Sequence, residues 1–138
     1  MRDMNKPLVA VSQIEARYAL EPFGRDLELV HLIGDELPHL AEQFCKEFCH
    51  QSPSMSHHLF KQGTTYLIQL LVQRNHCLEQ FSIFLNLSES AFLIQTKDKS
   101  YSLISAKGVG QVLKKIIFAN GQDGNAEPTP SGTELAYS

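Results

Sequence analysis

Residues 64–105 read TTYLIQLLVQRNHCLEQFSIFLNLSESAFLIQTKDKSYSLIS, and the fold turns on whether this stretch is strand or helix. Segments 64–74, 79–87, 92–96 and 100–105 are rich in β-branched, aromatic and aliphatic residues. Polar breaks at Asn75-His76, Ser88-Glu89-Ser90 and Lys97-Asp98-Lys99 separate them. Alternation puts Tyr66, Ile68, Leu70 and Val72 on one side of the first segment, and Phe81, Ile83, Leu85 and Leu87 on one side of the second. An antiparallel meander of about four strands is the expectation, with its outer strands open to another chain. A helix over 66–72 is the competing reading, because a short apolar run satisfies both periods.

Before the meander the chain reads as helical. Ser12 and Glu15 have capping-box spacing and predict a helix to about Leu20, stopped by Pro22 and Gly24. Residues 26–33 fit a strand or a helical stripe, and we read them as helix. Over 36–50, Leu37, Leu40, Ala41, Phe44 and Phe48 recur on one face, with Asp35 as the expected cap. Ser52-Pro53 suggests a further short helix to about Lys61, ended by Gly63.

After the meander, residues 108–119 carry Val109, Val112, Leu113, Ile116 and Ile117 at helical spacing, ending at Asn120-Gly121. The expected architecture is therefore α+β: N-terminal helices, the meander, and a closing helix. Residues 1–11 form a flexible lead-in, 12–121 one domain, and 122–138 a disordered acidic tail holding Pro128 and Pro130.

Length and composition agree with one domain. The chain has 138 residues, 43% hydrophobic and 20% charged, which excludes a disordered chain, a collagen-like repeat and a coiled-coil rod. Its net charge of −3 conceals a polarity. Residues 1–60 carry nine acidic and five basic side chains, whereas 61–119 carry three acidic and seven basic. Such poles favour oriented docking or internal pairing. Cys45, Cys49 and Cys77 make an odd count behind a polar start, which predicts a reducing cytoplasm. The longest uncharged apolar-rich run is too short to span a bilayer.

Four constellations hold residue types suited to chemistry. Cys45 and Cys49 lie one helical turn apart, and His57, His58, His76 or Cys77 supply the ligand types for zinc. The spacing lacks the tight knuckle of structural zinc sites, so no metal or other cofactor is expected. A second candidate is the turn around Lys107, Gly108 and Gly110, followed by Lys114 and Lys115. Free amides and the helix dipole there would favour a phosphate or nucleic acid. Only a lone Gly-x-Gly is present, without a dinucleotide fingerprint or a phosphate-loop lysine. Gly108-Val109-Gly110 with Val112, Leu113 and Ile117 resembles the hairpin and second helix of helix-hairpin-helix DNA-binding modules. Lys114 departs from that family's small residue, and a strand rather than a helix precedes the run.

His76 beside Cys77 makes no catalytic dyad, since strand neighbours point to opposite faces, and no metalloprotease or nucleophile-elbow motif occurs. Basic residues between 97 and 115, with Phe92 and Tyr101, give a weak nucleic-acid surface opposed by the acidic first half. The resulting expectation is a non-enzymatic protein-binding module: an adaptor, an inhibitor or a secretion-chaperone-like protein. It would act through sheet edge and charged faces, with a homodimer as one form of partner. A phosphate- or nucleic-acid-binding regulator is the alternative.

Overall fold

The computed structural model describes residues 6–89 and 91–120. The chain runs β1 (Val9–Ala10), α1 (Gln13–Leu20), a 3-10 turn (Glu21–Phe23), α2 (Asp26–His31), a π turn (Leu32–Glu36) and α3 (Leu37–Glu47). It continues through a 3-10 turn (Cys49–Gln51), β2 (Ser54–Gln62), β3 (Thr65–Arg74), β4 (Cys77–Asn86), β5 (Phe92–Gln95), β6 (Ser100–Leu103) and α4 (Ala106–Asn120). The six strands form one antiparallel sheet in sequence order, so the fold is α+β as expected. Residues 66–72 are strand.

Three local expectations fail. Residues 54–62 are strand, not helix. Ser52 adopts a left-handed conformation, φ 48°, instead of capping, and Met55, His57 and Leu59 then turn toward the helices at every second position. The open edge of β3 provides β2 with nine paired positions, and that long-range pairing outweighs the local Ser-Pro signal. Part of the presumed lead-in is also ordered: Val9 and Ala10 pair with Lys61 and Phe60, so the sheet has six strands rather than about four. Finally, Asp35 caps nothing. The helix runs on from α2 into α3 through the π turn, where the Leu37 N–H donates to the Leu32 carbonyl, and the Asp35 carboxylate meets His31. The wider turn keeps Leu29, Ile33 and Leu37, spaced by four residues each, on the buried side. The tail expected over 122–138 lies outside the described residues.

Other local signals hold. The Glu15 N–H donates to Ser12 Oγ while Glu15 Oε1 accepts from the Ser12 N–H, a complete capping box. The β2–β3 loop is Gly63-Thr64, with Gly63 at φ 64° in the first central position. The β3–β4 loop is Asn75-His76 with both φ values positive, 50° and 67°, the pattern of a type I′ hairpin whose twist matches the strands.

The helices cover one face of the sheet. Phe44 from α3 and Val109, Leu113 and Ile117 from α4 share one buried cluster with Ile68, Leu70, Ile83, Phe92 and Ile94. Two buried arginines fasten the layers. Arg74, 7% exposed, donates from Nη1 to the Ile117 carbonyl at 2.9 Å and lies 4.8 Å from the Phe48 ring centroid and 5.3 Å from that of Phe44. Arg25 lies over Phe92 and donates to the Glu89 carbonyl, fixing the β4–β5 turn.

Candidate functional site

The lysine-flanked helix start was the leading sequence candidate, and the structure places it at the junction of α2, β6 and α4. The Ala106 N–H donates to Glu28 Oε1 at 2.8 Å, and the Gly108 N–H to Ser105 Oγ at 3.1 Å. Two amides that a phosphate would use are thus engaged within the chain, and the carboxylate of Glu28 faces the positive end of the helix dipole. Gly110 has a packing reason. A Cβ built there would overlap Glu36 Oε1, so glycine lets α4 approach the π turn. Lys107, Gly110 and Lys114 line an open groove of about 310 Å³ with Glu36, His39 and Gln43. Lys115 is exposed outside that groove. A strand, β6, precedes α4, which is the departure from the helix-hairpin-helix pattern noted above.

The zinc candidates do not assemble. Cys45 lies on α3, Cys49 in the 3-10 turn after it, and Cys77 at the start of β4; all three are exposed free thiols. His57 faces the helices and His58 the opposite side of the sheet, while His76 sits in the β3–β4 turn. Among the described residues no group of three or more His, Cys, Asp or Glu side chains could hold a metal ion. His57 is half-buried, and its pKa lies below the ordinary value because burial penalises the imidazolium and His58 adds like charge. His31, unforeseen, bridges two carboxylates: Nδ1 lies 2.9 Å from Asp35 Oδ2 and Nε2 3.0 Å from Glu36 Oε2.

A different surface stands out once the strand register is known. The even-numbered residues of β2, β4 and β6 and the odd-numbered residues of β3 and β5 point away from the helices. On this outward face His58, Leu78, Gln80, Leu93 and Gln95 are exposed and Phe60 and Phe84 half-buried, while Leu67 is buried between its strand neighbours. It contains no Asp, Glu, Lys or Arg, in a chain that is 20% charged. The register aligns Phe60, Leu67, Phe84 and Leu93 as one apolar row across four strands. Beside it runs a neutral polar row, His58, Gln69, Ser82 and Gln95, with Leu71 and Leu78 beyond. His58 stacks on Phe60 at 6.5 Å between ring centroids.

The alternation already carried this signal, since the positions between the core-facing residues of β3 are Leu67, Gln69, Leu71 and Gln73. In an antiparallel sheet with one solvated face, the positions between the core-facing residues are ordinarily polar or charged. Interface cores, in contrast, are distinguished by depletion of charge. Comparison with family models, curated proteins and solved structures returned no match. Among the described residues no helix is long and apolar enough to cross a membrane.

Proposed function

We propose that the protein is a non-enzymatic protein-binding module, an adaptor or inhibitor, that works in the cytoplasm through the outward face of its sheet. One observation carries the reading: an uncovered face built from five strands has no formally charged residue and is crossed by the row Phe60, Leu67, Phe84 and Leu93. A partner surface laid on it removes apolar area from water and desolvates no carboxylate or ammonium, the larger cost in most interfaces. The edges are less suited to strand addition, because β1 has two residues and β6 has four, with Lys97 and Lys99 beside it. Three exposed free thiols fit a reducing compartment.

The test is purification of the full chain from its native cells, with and without nuclease, as wild type and as Gln69→Lys. With a tagged bait, a protein in stoichiometric amount, the cells' own untagged chain included, that survives nuclease and is absent from the Gln69→Lys preparation is the expected result. Retention of the same partner by that variant, or recovery only of nucleic acid released by salt, would refute the assignment.

A further inference from the structure

We propose that the occupant of the outward sheet face is a second copy of this chain, packed sheet against sheet about a two-fold axis. The proposal rests on the protein-binding reading and names the partner. A two-fold contact is isologous, so each side chain meets its own type or that of a neighbour on the same face. A face with lysines or glutamates would oppose like charges in such a contact. This one carries neither. Its polar side chains are glutamine, asparagine, serine, threonine and histidine, each able to donate and accept a hydrogen bond. Gln69 or Ser82 can therefore pair with its own copy, which a lysine or an aspartate cannot do. The charged residues that would steer a different protein lie on the helices, in the loops, and, as Lys61, Arg74 and Glu79, on the helix-facing side of the strands, not on this surface.

The size is adequate as well. With about 3.3 Å per residue and about 4.8 Å between strands, β2 to β6 present a flat projection of roughly 600 Å². Side-chain relief raises the accessible area toward the ~800 Å² per partner of a standard stable interface. Two sheets packed face to face sit ~10 Å apart with strands inclined by about 30°, so the apolar rows of the two copies cross and interdigitate. The row of His58, Gln69, Ser82 and Gln95 is the middle one along the long strands, which puts the axis beside Gln69.

Sedimentation velocity of the full chain over a dilution series tests this. The wild type is expected to be a dimer at micromolar concentration. Gln69→Lys and Gln69→Glu should each dimerise at least about a hundredfold more weakly, because each sets like charges together at the axis. An equimolar mixture of the two should restore the dimer, a result that a misfolded variant cannot give. Gln80→Lys, at an exposed position of the same face, supplies a second variant, and unchanged circular dichroism establishes its fold. A monomeric wild type across the series, or a dimer untouched by both lysine variants, overturns the proposal. If the wild type is monomeric yet Gln69→Lys abolishes capture of another protein, only the second copy is excluded and the binding module stands. If neither association depends on Gln69 or Gln80, both readings fall.

Discussion

Replacing Arg74 by methionine separates the polar work of this side chain from its packing. The guanidinium is 7% exposed and donates to the Ile117 carbonyl, which lies in the last turn of α4, where carbonyls run short of intrahelical donors. A hydrogen bond from a charged donor contributes about 1.5–3 kcal/mol. The contacts with the Phe44 and Phe48 rings add about 1 kcal/mol each in a desolvated setting. The ion pair with Glu79 is discounted to ~0.5 kcal/mol or less, because that carboxylate is 36% exposed.

Against these stands the desolvation of the guanidinium, of which methionine relieves the protein. The net expectation is a loss of about 2 kcal/mol for Arg74→Met and about 4 kcal/mol for Arg74→Ala, which also vacates the stem. At this chain length 2 kcal/mol corresponds to a Tm lower by about 8 °C. Urea unfolding followed by circular dichroism gives the free energies. Hydrogen exchange at the end of α4 should rise in both variants. Stability of Arg74→Met within about 0.5 kcal/mol of wild type would refute the account of Arg74 as the clamp on α4.

Other perturbations follow from the same contacts. Gly108→Ala should stabilise by about 0.5 kcal/mol through helix propensity, since an added Cβ meets nothing closer than 3.4 Å. Gly110→Ala should destabilise by about 1 kcal/mol as the Glu36 carboxylate is pushed off His31, and should turn favourable in a Glu36→Ala background; urea midpoints of the four proteins decide it. His76→Gly should stabilise by about 0.5–1 kcal/mol, because His76 holds a φ of 67° that glycine adopts without a Cβ clash; an unchanged thermal midpoint would count against the turn assignment. His57 has a folded-state pKa below its unfolded value, so its contribution is present above the unfolded value and is lost as pH falls through that value toward the folded one. Between about pH 7.5 and about pH 5, wild type should therefore lose more stability than His57→Gln, and His58→Gln should lessen the loss in part.

The helix capped by Ser12, the apolar face of α3 and the strands from Tyr66 onward were legible because each is signalled within its own segment. Strand β2 was not. Its period-two pattern, Met55, His57 and Leu59, is interrupted by polar residues, and its pairing partner becomes available only when β3 folds back on it through Gly63. The π turn was equally hidden, since its benefit is the burial of Leu37 beneath a sheet assembled later in the chain. At the lysine-flanked turn the residue types were visible, but Glu28, which engages the first amide of α4, lies 78 residues away in sequence. The neutral face is legible in Leu67, Gln69, Leu71 and Gln73, the β3 positions between the helix-facing ones, none of which carries a charge.

The sheet's strand order equals its sequence order, and this shapes how the chain acquires its structure during synthesis. From β2 onward every pairing joins neighbours across a short loop, so hairpins can form one after another with little loop-closure entropy, and at rates typical of local contacts. Only β1 must wait, for Val9 and Ala10 meet Lys61 and Phe60 across the whole helical segment. Arg74 must also wait for Ile117 to leave the ribosome. Until then a nascent chain lacks α4, so the sheet residues that Val109, Leu113 and Ile117 cover stay open beside the outward face, and chaperone contact is expected to concentrate in that interval.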